Sequence, residues 1–470
     1  MLLQLPFKQF ATATFLLFTF VPALGQQLPV IKANTPKAKI RIGTHIQEGS
    51  WGIDASVKPD ILDVYVPAAN IPVTFITDQD SIQFQVKPNS FQEFVILVNG
   101  KDSARTAIKG IPIVPRAHYS EEYKKSHSGK TSVEIPAFYE LINIVFALTA
   151  EGRKDNGLIM KNTPYYTDVM QWFDKFSDEP VVKSINAELS ESDAYSALKM
   201  DAYSFGLEGN KVVKSPVYDR IGFSNSNNLQ HQVAGLQDFL VKSNFPEFFA
   251  KHQPYYNELI VTYRDSIGVP EMQKWLNTNF PSTRYESFKI IFSPLVAGNQ
   301  SATWFNYDGF KEAQAHVNFP FRNRKVPHIL SNEAQLVAAG SILFTELNHA
   351  FINPESEKPE YVTRIQKAFT DLSIWNDPDK PAKYYESPSE SFNEYMNWAL
   401  VCLRYADYAP KSEQQRLVSD TEKMLVEMRG FRKFAAFDQF LVPLYKNRKK
   451  GQVLADLYPQ IVAWFEKNGK

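Results

Sequence analysis

The strongest constraint on the fold is a change of hydrophobic period part-way along the chain. Up to about residue 112 the apolar residues alternate, or cluster in short runs bounded by Pro, Asp and Asn. From Ile135 onward they recur at helical spacing. Ser81–Val86 alternates polar and apolar residues, the pattern of a strand with one buried face. Leu62–Val66 and Val73–Ile76 are comparable short runs. Phe94–Val98 leads into the tight-turn pair Asn99-Gly100, with Ser103–Ile108 as the returning strand. Phe138, Leu141, Ile142, Val145, Phe146 and Leu148 instead share one face of a helix. The chain therefore reads as α+β. A small β-sandwich-like module covers 39–115, and a mainly helical domain with a small sheet covers 131–470. Gln26–Ala38 reads as a polar spacer before the module and Pro112–Lys130 as a polar linker after it.

Within the second domain, Thr163-Pro164 has the form of an N-cap followed by a first-turn proline. Phe288–Phe292 and Ala315–Phe319 read as strands, with a turn over Gly298–Asn306. Asn332–Phe351 is the central helix, stopped by Asn353-Pro354. Pro354–Ala382 reads as a polar excursion, and Ser389–Tyr405 as a second strong helix. Further helices are expected near Ser412–Met428, Phe434–Tyr445 and Leu454–Asn468.

Residues 1–25 have the form of a secretory signal peptide: Lys8, an apolar run over Phe10–Phe20, and the small-x-small site Ala23-Leu24-Gly25. The expected location is secreted or periplasmic, with no integral membrane segment after signal cleavage. Lys+Arg and Asp+Glu balance at 51 each, which argues against a nucleic-acid surface. Cys402 is the only cysteine, so no internal disulfide forms despite the expected export. It reads as a buried, inert thiol.

The central helix carries the chemistry. Ile342–Pro354 reads I-L-F-T-E-L-N-H-A-F-I-N-P, an apolar stretch interrupted by Glu346 and His349. In the zinc-peptidase pattern H-E-x-x-H, two histidines four apart grip one ion and the intervening glutamate activates its water. Glu346 fits the general base and His349 the second histidine. Thr345 stands where the first histidine would be, and a neutral hydroxyl is a weak zinc ligand. A third ligand has to come from a later helix, where Glu394 is the first candidate and Glu390, one turn earlier, the alternate. His316, on the expected strand before the motif, is a further ligand candidate, as is His328. The competing reading is a plain hydrogen bond between Glu346 and His349 across one helical turn. Apolar flanks weigh against it, because a buried carboxylate and imidazole are costly without a role or partners.

The segment F-T-E-L-N-H-A-F-I-N-P resembles the H-E-F-x-H-x-F-x-N-P signature of an uncharacterised family of secreted, chiefly Bacteroidetes, zincin-like metallopeptidases. The likeness extends over roughly residues 130–405. It includes I-P-A-F-Y-E-L at Ile135–Leu141, F-S-P-L-V-A-G-N at Phe292–Asn299, and Glu394-Tyr395. It implies a zincin-like domain with Glu346 as general base and His349 and Glu394 as zinc ligands, acting on a peptide or protein. Thr345 is the departure from that pattern. Two functions are therefore carried forward. One is an exported, divergent zinc metallopeptidase with a lost or altered metal site. The other is a catalytically inactive zincin-fold binding protein for peptide or glycan. No G-x-S-x-G and no phosphate-binding glycine loop occurs.

Overall fold

The computed structural model describes residues 28–35, 37–43, 45–49, 60–66, 69–100, 102–113, 115–190, 194–321 and 330–469. The expected signal peptide and His328 lie outside them. Among the described residues no helix is long and apolar enough to cross a membrane. The chain divides into two compact units, one ending at Val114 and one beginning at Pro115.

Among the described residues the first unit is all β. Its strands are β1 (Val30–Ala33), β2 (Ala38–Ile42), β3 (His45–Gly49), β4 (Asp60–Val66), β5 (Ile71–Ile76), β6 (Ser81–Val86), β7 (Phe91–Val98) and β8 (Asp102–Pro112). They form two four-stranded sheets, ordered β1-β7-β8-β4 and β3-β2-β5-β6. Alternate residues of both sheets meet in one core: Ile31, Val64, Phe94 and Ile108 from the first, Ile40, Val73, Phe75 and Val86 from the second. The β7–β8 hairpin pairs Val98 with Asp102. Its turn needs left-handed backbone at Asn99 (φ 50°) and Gly100 (φ 69°), which is why those residue types occur there. The expected polar spacer after the signal instead contains β1, whose Ile31 and Ala33 are buried.

The second unit is mainly helical, with a mixed sheet ordered β13-β14-β12-β9. Here β9 is Lys130–Glu134, β12 Ser287–Ser293, β13 Ser301–Tyr307 and β14 Phe310–Asn318. β12 runs parallel to both neighbours, while β13 is an antiparallel edge strand. A separate hairpin joins Phe205–Glu208 (β10) to Lys211–Lys214 (β11). Several expectations are corrected. The supposed linker over 112–130 contains a helix, Glu121–His127, and buries Tyr119 and Tyr123 in the second core. The expected turn over Gly298–Asn306 contains β13, which pairs along its length with β14. The polar excursion contains the helix Pro359–Ala368, whose apolar face carries buried Tyr361 and Ile365, followed by fully buried Trp375. In each case polar residues on the solvent face mask a periodic apolar minority.

The central helix differs most from expectation. It is two helices, Asn332–Ala339 and Ser341–Ser356, broken at Gly340. A Cβ on Gly340 would lie 2.4 Å from Met272 Cε and 3.1 Å from Ile267 Cγ2, so the break sits where another helix passes closely. Arg404 donates to the Val337 carbonyl (2.7 Å) near the end of the first helix. The second helix does not stop at Pro354 but runs through it. Proline cannot donate to the carbonyl four residues back, which orphans Ala350. The Tyr285 hydroxyl donates to that carbonyl at 2.8 Å and replaces the missing bond.

Candidate functional site

Glu346, Asn348 and His349 occupy adjacent positions of the Ser341–Ser356 helix, which packs on β13, β14 and the Pro388–Tyr408 helix. The last of these starts with a capping box: Ser387 accepts from the Glu390 amide, and the Glu390 carboxylate accepts from the Ser387 amide at 3.1 Å. That fixes the register of Glu394, Asn397 and Trp398, which occupy the next two turns. Glu390 is thereby spent on the helix terminus, while Glu394 faces the motif helix.

The two helices are joined by amides. Asn348 Nδ2 donates to the Asn397 carbonyl at 3.0 Å. Asn397 Nδ2 lies 2.7 Å from His349 Nε2, 3.0 Å from His349 Nδ1 and 3.2 Å from Glu394 Oε2. One amide thus bridges the imidazole and the carboxylate. Glu394 is buried and fully occupied. Its Oε1 accepts from Trp398 Nε1 at 2.9 Å and pairs with Arg429 Nη2 at 3.0 Å. Arg429 also donates to the Tyr385 hydroxyl (2.7 Å) and lies over the rings of Trp398 and Phe431. An aromatic pocket therefore delivers a guanidinium to the carboxylate expected to bind metal.

Glu346 has a different environment. Among the described residues no hydrogen-bond donor reaches its carboxylate. The residue keeps part of its surface open yet sits in a desolvated site. Burial pushes its carboxyl up, His349 pulls it down, Glu394 pushes it up, and Lys199 and Arg429 pull it down. Lys199 has no exposed surface. Its ammonium donates to the Asn299 carbonyl and, at 3.0 Å, to Asn299 Oδ1. Burial brings it down to about 7, and the Glu346 carboxylate pushes it back up. A buried lysine amine thus lies within electrostatic reach of the motif glutamate.

The other expected donors are engaged elsewhere. Thr345 Oγ1 donates to the Ile342 carbonyl at 2.7 Å, an internal bond of its own helix. His316 is fully buried on β14 between Tyr139 and Tyr203, with Nε2 at 3.2 Å from Gln314 Oε1 and no partner for Nδ1. Burial, Lys199 and Arg116 hold it well below the ordinary imidazole range, so it is neutral. The structure thus brings together Glu346, His349 and Glu394 and leaves Thr345 and Glu390 to backbone bonds. As arranged, these donors do not fit a zinc ion. Among the described residues no group of three or more His, Cys, Asp or Glu side chains is placed to hold a metal.

Sequence reasoning missed Lys199 and Arg429. Nothing local marks either, because each meets the site through residues distant in the chain. Asn397 was detectable: it lies three residues after Glu394, on the same helical face. Asn299, which holds Lys199, ends the F-S-P-L-V-A-G-N segment that carries part of the family resemblance. Cys402 is buried and unpaired, and burial together with Asp438 raises its thiol well above the ordinary range. It is an inert core residue. No family profile, curated protein or solved structure matches this chain.

Proposed function

We propose that this chain is an exported protein on a zincin-like plan whose metal centre has been converted into an internally neutralised site, and that it binds peptide or glycan rather than hydrolysing peptides. One observation carries the reading: the Glu394 carboxylate, the expected third ligand, is satisfied by Arg429, Trp398 and Asn397. Lys199 adds a buried amine within electrostatic reach of Glu346. A Glu394 carboxylate already paired with Arg429 gains little from a divalent ion and loses that ion pair in accepting one.

A second reading, a divergent peptidase, is favoured by Glu346 alone. It is a desolvated carboxyl, raised above its ordinary range and without a hydrogen-bond donor, as a general acid or base needs to be. Incubating the full chain with a diverse peptide mixture separates the two. The binding reading expects no new termini at any time. Cleavage that disappears in Glu346→Gln would overturn it.

A further inference from the structure

A groove of about 750 Å³ runs along the exposed face of the Val269–Asn279 helix. Its lining includes neither Glu346 nor His349, and its reading stands whether or not that pair holds metal. The helix contributes Pro270, Gln273, Lys274, Asn277 and Thr278, an i, i+3, i+4 stripe about 12 Å long at the helical rise per residue. The facing wall holds Arg264, Arg284 and Tyr285. No carboxylate lines it. Arg264 is compensated by its neighbour Asp265, with contacts of 2.6 and 2.8 Å. Lys274 and Arg284 are exposed and have no carboxylate partner among the described residues. The groove therefore carries two unspent positive charges, in a chain whose formal charges cancel.

Its other groups define the ligand further. Asn277 Oδ1 is shielded from the groove and meets no ligand. Thr278 spends its proton on the Lys274 carbonyl and can only accept from a ligand. Gln273 accepts from Thr131, which leaves its amide N–H groups to donate. Tyr285 is fixed by its bond to the Ala350 carbonyl and packs edge-on against Phe351, so its ring is a rigid, half-buried wall. Anionic groups to meet the two cations, hydroxyls to donate to Thr278, and an apolar ring face to lie on Tyr285 are together found in an acidic oligosaccharide. A polyanion read by charge alone would leave Thr278 and the Tyr285 ring without a partner.

We infer that this groove binds a short oligosaccharide bearing carboxylate or sulfate groups. Calorimetric titration of the full chain with oligogalacturonate and with a heparin-derived sulfated oligosaccharide tests this and distinguishes the two anion types. Methyl-esterified oligogalacturonate and poly-glutamate serve as controls. Binding of at least one acidic sugar is expected, with the neutral ester and poly-glutamate at least tenfold weaker. Lys274→Glu with Arg284→Glu should weaken the acidic sugar at least tenfold. Thr278→Val should weaken it severalfold and leave any poly-glutamate binding unchanged. All three substituted residues are exposed, and an unchanged thermal transition checks that the variants are folded. Absence of binding by either acidic sugar, affinity unmoved by the charge reversals, or poly-glutamate binding as tightly as the sugars would each overturn the proposal.

Discussion

Glu346 and Glu394 sit one helix apart, yet only Glu394 has hydrogen-bonded partners. That contrast explains why the sequence exposes one half of the site and hides the other. The T-E-L-N-H segment makes Glu346 and His349 legible, since their spacing on one helix face is local. The basic groups of the site are not legible, because Lys199 and Arg429 arrive from other elements. If Arg429 is what closes Glu394 to metal, Thr345→His alone should add little zinc affinity. Adding Arg429→Met should raise it by at least tenfold, measured by competition with a chromophoric chelator; equal affinity in the single and double variants would remove Arg429 from that role. A second residue-scale prediction concerns Glu140, which is fully buried and accepts from Tyr165 at 2.7 Å. Burial raises its carboxyl from 4.5 to about 7. The unfolded chain then releases this proton at lower pH than the folded one. The stabilising contribution is complete below pH 4.5 and is lost as pH rises through about 7. The loss is on the order of 3 kcal/mol. Denaturant titrations of wild type and Glu140→Gln between these limits should diverge by that amount, with the variant the flatter of the two.

At the scale of elements, strands with one buried face were plain in the sequence. Ser81–Val86 and the Asn99-Gly100 hairpin appear where the alternation puts them. Helix limits were less legible, because tertiary partners override local signals. Pro354 reads as a stop, but the Tyr285 hydroxyl removes the cost of continuing. Gly340 reads as an unremarkable interior residue, but the approach of Met272 makes it the break. Tyr285 and Pro354 therefore form a coupled pair. Tyr285→Phe should destabilise the chain by about 1–3 kcal/mol, as an orphaned, partly buried carbonyl costs. In a Pro354→Ala background the backbone N–H can take that carbonyl, and the cost of Tyr285→Phe should shrink. A double-mutant cycle with no coupling would contradict the hydrogen bond's role in carrying the helix past the proline.

For the whole molecule, each unit has its own core, and the boundary at Val114/Pro115 falls after the last β-sandwich strand. The supposed linker belongs to the second unit through Tyr119 and Tyr123. A fragment spanning 115–470 should therefore unfold cooperatively, whereas one starting at residue 131 should be destabilised by the loss of those two rings. Equal stability of the two fragments by thermal denaturation would contradict the assignment.

The central claim is that resident side chains stand in for a metal at the Glu346–His349–Glu394 site. The metal content of the intact chain, purified with zinc present and then dialysed, tests it most directly. Far less than one equivalent of zinc is expected, unchanged by His349→Ala. Close to one equivalent, lost in His349→Ala and in Glu394→Ala, would contradict it and restore the peptidase reading.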